Sequence, residues 1–475
     1  MAEQVPRRIA VSVALGTLLN PLNSSMIAVA LVSLESDFHV GLAQASWLIS
    51  SFYLAASVAQ PLMGRLADRF GPRRVYATGL TIVGGTGVLV LLAPGFGWVV
   101  AARILQAVGS SAAYPSGLAL IRRLAGGRPP AGLLGVISAA NTGSAAFGPV
   151  LGGLLVSLAG WRGIFAVNIP MAAVALVFAL RWLPADPPPS GARRTARELV
   201  GELDLPAVGL FAVTMLTLLD FVLSLGGDPL WVLLLVLPLT IGQLIWHERH
   251  EPSPFLDVRA LGANRRLLGV LGQQAGVQAM FYLIFFGLPL WLQRVRDFRP
   301  ATAGLLMLPV SALAVVLTPV ATRVIRRLGA GVSVLVGSLG LALGAALLFA
   351  IDDESGAVAI LLVGSVIGLP VAFNNIGLQA GLYAATPAHQ AGIAGGLFQT
   401  GRYTGAILAT AMLGALFNQD EYSSAGLHQI GLVVLVVALG LAAAAPFTPV
   451  PEGRHRARPE TGSTVDDPAV AEPVP

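Results

Sequence analysis

The 475-residue chain contains no cysteine and no lysine, and only 11% of its residues are charged. The first absence excludes disulfide frameworks, thiolate nucleophiles and cysteine-held metals. The second makes all 29 basic residues arginine, which reads as codon bias rather than chemistry. The low charge lies far below the roughly 25% of an ordinary soluble domain. Acids are scarcest inside the apolar runs: of 24, all but Asp220 fall in loops, at run ends or in the tail. No "GxxxxGK[ST]" phosphate loop is present, which argues against ATP drive, and no conjunction of nucleophile, base and metal ligands points to an enzyme, a metal or a cofactor. What is there is apolar: 55% of residues are hydrophobic and mean hydropathy is +0.77, the signature of an integral membrane protein. The net charge of +5 does not imply a nucleic-acid partner, because the arginines are scattered through loops between apolar runs.

A helix needs about 20 apolar residues to cross the hydrocarbon. Spans are predicted near 9–31, 44–63, 74–94, 97–121, 131–158 and 163–183, then 205–225 and 229–247, then 267–292, 301–322, 331–350, 356–383, 391–417 and 428–448. The reading is an all-α membrane protein of fourteen transmembrane helices arranged 6+2+6. The first run is too long, and lacks the small-residue cleavage site, to be a removable signal peptide. With the N-terminus in the cytoplasm, 23 of the 29 arginines fall on the cytoplasmic side and Arg162, Arg294, Arg296 and Arg299 lie outside. The positive-inside rule therefore favours both termini in the cytoplasm. Four units follow: residues 1–184 as a six-helix bundle, 185–255 as a linker and two extra helices, 256–450 as a second six-helix bundle, and 451–475 as a disordered tail. A faint repeat supports the duplication, since "RLADRFGPRRVYATG" and "RVIRRLGAGVSVLVG" align Gly71 with Gly329 and Arg69 with Arg327.

Three motifs carry a family resemblance. In "GRLADRFGPRR", Gly64 permits close helix approach, Asp68 is an acid at a helix end, and Gly71 allows a tight turn before Arg73 and Arg74. In "GSAAFGPVLGGLL", Pro149 kinks a helix while Gly148, Gly152 and Gly153 leave a groove for a neighbour. In "RILQAVGSSAAYP", Arg103 puts a charge inside a span, with Gln106 and Gly109 beside it. Together these resemble the major facilitator superfamily, and within it the fourteen-span drug:proton antiporters of bacterial inner membranes. The resemblance implies that Gly64, Asp68, Arg69, Gly71, Arg73 and Arg74 form a cytoplasmic latch; a cluster of topogenic arginines is the simpler alternative. It also implies an antiporter motif at Gly148, Pro149, Gly152 and Gly153, with ordinary small-residue packing as the alternative. Arg103 is implied in proton transfer, and the alternative is an arginine snorkelling to the interface.

The departure from the family lies in "LNPLNSSMIAVAL", where Asn23 stands at the position of the usual aspartate. Asparagine cannot take up a proton, so coupling or gating has to be sought at Asp68, Arg103, Asp220 and Arg402. Asp220 is an intramembrane carboxylate and therefore a functional candidate, unless it is neutral and hydrogen-bonded. Arg402, in "GLFQTGRYTG", has a carboxylate, an anion or helix carbonyls as its prospective partners. Candidates for the cavity wall are Asn20, Asn23, Ser24, Asn141, Gln274, Gln278, Tyr282, Asn374, Asn375 and Gln399, with Tyr114 and Phe281 as aromatic surface; taken singly, each is as readily an interhelical hydrogen bond. The expected function is secondary active export of hydrophobic, neutral or weakly charged drugs or natural products by a monomer, with protons as the exchanged ion. A lipid or metabolite translocator and an uncoupled facilitator of the same fold remain open alternatives.

Overall fold

The computed structural model describes residues 6–125, 131–186, 204–224, 229–251, 254, 258–386, 391–416 and 424–449. The expected tail, 451–475, and most of the proline-rich linker lie outside the described residues. The helices are α1 (Arg7–Thr17), α2 (Leu19–Phe38), α3 (Leu42–Phe70), α4 (Pro72–Leu91), α5 (Phe96–Ser111), α6 (Ala113–Leu124), α7 (Ala131–Ala159), α8 (Gly163–Ala166) and α9 (Asn168–Trp182) in the first half. Two further helices, α10 (Leu205–Ser224) and α11 (Leu233–His250), precede the short α12 (Val258–Ala263). The second half holds α13 (Arg265–Arg294), α14 (Pro300–Leu306), α15 (Leu308–Leu328), α16 (Ala330–Leu348), α17 (Ala357–Ala385), α18 (Ala391–Leu416) and α19 (Ser424–Ala444).

Each of the fourteen apolar intervals contains helix, and the described residues contain no strand. Nine helical segments among the described residues are long and apolar enough to cross a membrane, and Gly143–Ala159 and Leu205–Phe221 are shorter apolar stretches. Four runs are broken by one residue, at Leu18, Ala112, Val167 and Met307, two or three positions before Pro21, Pro115, Pro170 and Pro309. Proline has no N–H to offer the carbonyl four residues back, and its ring crowds that carbonyl, so the rod bends there.

The internal repeat is visible in the backbone. Gly71 joins α3 to α4 at φ +98°, and Gly329 joins α15 to α16 at φ +102°. Both lie in the left-handed region that a side chain strains, which is why the two halves share a glycine at this turn.

Within the first half α2 packs on α7, α3 on α5, and α4 on α5 and α9; within the second, α13 packs on α18 and α17 on α15 and α16. Between the halves, α7 meets α14 and α15, α2 meets α13, and α3 meets α18. The extra pair packs α10 on α11, and α10 leans on α3 and α18. The largest apolar cluster crosses the junction, running from Met26, Leu31 and Phe52 to Tyr282, Phe286 and Trp291. Toward the other end the core divides: Ile9, Tyr76, Leu120 and Leu183 serve the first half, and Leu267, Val270, Leu382 and Leu441 the second. The halves thus share one core at one end and keep separate cores at the other, where Tyr114 and Tyr383 are partly exposed.

Candidate functional site: the junction of the two halves

The four residues of the "GPVLGG" motif divide between two helix faces. Gly148 and Gly152, one turn apart, face α2: a Cβ on Gly148 would meet the Ser25 hydroxyl oxygen at 1.7 Å, and one on Gly152 the Met26 carbonyl oxygen at 2.8 Å. Pro149 and Gly153, the next pair, face the other half. A Cβ on Gly153 would lie 2.3 Å from the Pro300 carbonyl oxygen, and one on Gly304 2.3 Å from the Pro149 carbonyl oxygen. Backbone therefore touches backbone across the junction, which is possible only because the glycine of each contact has no side chain. The backbone N–H of Ala301 donates to the Ser157 hydroxyl oxygen at 3.0 Å beside it.

The same end is clasped by charge. Arg294 of α13 donates to the Glu35 carboxylate of α2 at 2.6 Å, and Gln293 donates to the Val29 carbonyl at 3.1 Å. Glu35 is buried. The outer loops carry acids, Glu35 and Asp37 among them, on the same side as Arg294, and that charge pattern is the signal the sequence offers for the pair. In the loop after α16, the Ser355 hydroxyl and then the Glu354 backbone N–H hold the exposed Asp352 below the usual carboxylate range. Asp352 consequently stays ionised near neutrality and does not exchange protons there. Replacing Glu35 with glutamine removes a charge-assisted bond worth about 2 kcal/mol, a shift of roughly thirtyfold in the balance between joined and parted ends. Cysteines at Ser157 and Ala301, introduced into this cysteine-free chain, measure it: disulfide yield is expected to fall several-fold in Glu35→Gln, and an unchanged yield refutes the clasp.

The polar residues of "LNPLNSS" are tied to α5 or to their own helix. Asn20 donates to the Ser110 hydroxyl oxygen at 3.0 Å, and the Asn23 side-chain oxygen accepts from Gln106 at 3.3 Å. Ser24 and Ser25 donate back to the Pro21 carbonyl, at 2.9 and 2.8 Å. Arg103 is buried and donates to the Gln106 side-chain oxygen at 2.7 Å, to the Asn23 carbonyl at 3.2 Å and to the Leu48 carbonyl at 3.4 Å, with the Phe52 ring centroid at 4.2 Å. It does not snorkel; it binds α2, α3 and α5 together.

Arg402 has a different setting. It reaches the Tyr282 hydroxyl at 3.3–3.4 Å. Tyr53 of α3 lies with its ring 5.3 Å from Tyr282 and 5.8 Å from Tyr403, whose hydroxyl donates to the Gln60 side-chain oxygen at 2.5 Å. Ser50 and Thr410 share a hydroxyl hydrogen bond of 2.6 Å on the same pair of helices. Tyr53, Gln60 and Tyr403 carry no signal in hydropathy, although Tyr403 adjoins Arg402 in sequence. Gln274, Gln278 and Tyr282 recur every four residues on α13 and are all buried.

The remaining candidates scatter. Asn374 is buried between α16 and α17, accepting from Ser338 at 3.5 Å, which makes it a packing residue. Asn141, Asn375 and Gln399 are half-buried. Phe281 packs edge-on against Tyr282. Asp220 is exposed near the end of α10, and the structure does not bring it to Arg103, Arg402 or the polar wall.

Asp68 is exposed as well. The N-terminus of α4 is held by Asp186, which accepts from the backbone N–H groups of Arg73 and Arg74 at 3.2 and 2.8 Å and lies 3.9 Å from Arg123. A Cβ on Gly71 would lie 2.3 Å from the Asp186 carboxyl carbon, a second reason for glycine at that turn. Arg65 donates to the Pro254 carbonyl at 2.7 Å. Among the described residues, Asp204, His247 and Glu251 are spaced to share a metal ion, their ligand atoms within 4.8 Å of one another. Asp204 and His247 already meet at 2.8 Å, tying the start of α10 to α11.

Comparison with known proteins agrees with this architecture. The family model described as Major Facilitator Superfamily matches residues 13–410. The chain is 36% identical to the MFS-type transporter YwoD of Bacillus subtilis strain 168, over 90% of this chain and 93% of that one. It is 28% identical to the tetracenomycin C resistance and export protein of Streptomyces glaucescens, over 88% and 79%. The crystal structure of a mutant of the nucleoside transporter NupG superposes with a TM-score of 0.65 at 16% identity, covering 92% of this chain and 99% of that one. The chain is a membrane transporter belonging to the Major Facilitator Superfamily, with resistance exporters among its relatives.

Proposed function

We propose that the protein is a secondary exporter of hydrophobic drugs or natural products, working as a monomer in the bacterial inner membrane by proton-coupled antiport. The observation that carries this reading is the junction itself: two helical halves joined through glycine contacts and an ion pair at one end, and with separate cores at the other. A cleft closed at one end and open at the other is what alternating access requires. The relative named for tetracenomycin C resistance and export supports the outward direction and an antibiotic-like cargo. The fourteen helical intervals and the arginine distribution support six, two and six spans with both termini in the cytoplasm. On that topology Glu35 and Arg294 close the outer side, and the latch of Gly64, Asp68, Arg69, Gly71, Arg73 and Arg74 lies on the cytoplasmic side, where Asp186 and not Asp68 engages α4.

Uptake of a fluorescent hydrophobic drug into inside-out vesicles tests the reading. Uptake should depend on an imposed pH gradient and stop when an ionophore collapses it; uptake that continues unchanged refutes antiport. Asp220→Asn is expected to leave gradient-driven uptake intact, since that carboxylate is exposed on α10. Loss of the drive in Glu35→Gln alone would assign coupling to the acid that bridges the halves.

A further inference from the structure

Two arginines sit inside the helical body, and their surroundings are opposites. Arg103 is buried and spends its donors on three oxygens and a ring. Arg402 is half-buried, and the hydroxyl of Tyr282 is its hydrogen-bond acceptor among the described residues, at 3.3–3.4 Å. Those distances lie beyond the usual N–H···O range of about 2.7–3.2 Å. The ion pairs among the described residues do not include Arg402. A guanidinium has five N–H donors in a planar fork, and most of these are unused.

Three tyrosines cluster beside that fork. Tyr53, Tyr282 and Tyr403 come from α3, α13 and α18 and so from both halves, and Phe286 stacks on Tyr282 at 5.5 Å. Beside Arg402, Gly401 brings the α18 backbone against Gln274, where a Cβ would stand 3.7 Å from the Gln274 Cγ. Gln274 is fully buried, and both of its side-chain polar atoms lack a hydrogen-bond partner. A buried amide left unpaired costs about 1–3 kcal/mol, as does an unpaired charge or more, so the strip is destabilised until something polar arrives.

The geometry points to a binding site at Arg402 for planar aromatic compounds that carry a delocalised negative charge, such as a phenolate, an enolate or an arene carboxylate. This rests on the export reading and narrows its cargo. The fork of Arg402 takes the anionic oxygens, the tyrosine rings take the aromatic plane, and Gln274 offers an amide for a further oxygen. A cation is repelled by Arg402, and a neutral ring system gains the stacking alone. Because Tyr53 and Tyr282 lie on opposite halves, a bound ligand touches both.

Equilibrium binding to the purified full-length protein tests this with 2-naphthoate, its neutral isostere 2-naphthamide, the cation 2-naphthylmethylammonium and the non-aromatic cyclohexanecarboxylate. Naphthoate is expected to bind at least tenfold more tightly than each of the others. Arg402→Gln should lose that preference, and Arg402→Lys should keep part of it. Equal affinity for naphthoate and naphthamide, or no saturable naphthoate binding, overturns the proposal on the unaltered protein, whatever the variants do. Unchanged naphthoate preference in folded Arg402→Gln overturns it as well. The measurement involves no gradient and no vesicle, so its failure is distinct from failure of the export reading.

Discussion

Gly153→Val is expected to prevent the joined end from closing while leaving each half folded. The glycine backbone already touches the Pro300 carbonyl, and the distance of 2.3 Å to the place a Cβ would occupy admits no side chain. Overpacking of a tight contact costs about 1–3 kcal/mol and sometimes more. Here the cost falls on one conformation only, because the contact exists only when the halves meet. A shift of that size changes the closed-to-open ratio about fivefold to 150-fold. Export should drop more than tenfold, the Ser157–Ala301 cysteine pair should cease to cross-link, and the melting temperature should stay near that of the parent. Gly304→Val, on the other side of the contact, should behave alike. Gly152→Val makes the control: its Cβ would strike Met26 within the same half, so it should lower the melting temperature. If Gly153→Val melts early while Gly152→Val does not, the assignment of the two faces is wrong.

Arg103→Gln carries the second large effect, on stability. The guanidinium bridges three helices through the Asn23 and Leu48 carbonyls and the Gln106 side chain, and it sits on the face of Phe52. Glutamine reaches at most one of these partners, leaving buried oxygens unpaired at a cost of roughly 3 kcal/mol. The melting temperature should fall by several degrees, and Arg103→Lys should recover little, because a point charge cannot serve acceptors on three sides. A proton-relay role makes a different prediction: parent-like melting in Arg103→Gln, with a shifted pH profile of export. Asn23→Asp probes the same knot. A carboxylate at 23 would face Gln106 with the Arg103 guanidinium close by, so its charge would be met there and would not be free to attract cationic cargo.

Much of the architecture was legible without the structure. Burial in lipid requires a local property, a run of about 20 apolar residues, and runs can be counted one at a time. The turn glycines Gly71 and Gly329 were legible for a similar reason, since a left-handed backbone restricts the residue at one position. The charged clasp was half legible: the sequence put Glu35 and Arg294 in one region but carried nothing to say that their side chains meet.

Partner choice was not legible, because it depends on where distant helices come to lie. Asp68 has the position of a latch acid, yet Asp186, more than a hundred residues away, reaches the N-terminus of α4. Asp220 reads as an intramembrane carboxylate, but the rotation of α10 against α3 and α18 leaves it exposed. The glycine motif announces close packing and does not say against what; a turn of 3.6 residues sends Gly148 and Gly152 to one neighbour and Pro149 and Gly153 to another. Arg103 and Arg402 look alike as charges within apolar runs. The sequence by itself determined that this is a helical membrane transporter of two related halves, because hydropathy, charge bias and turn chemistry act locally. Only the tertiary structure decided that one arginine is satisfied and the other has donors to spare, because hydrogen-bond partners 80 to 120 residues apart are set by the packing of helices and by nothing within either one.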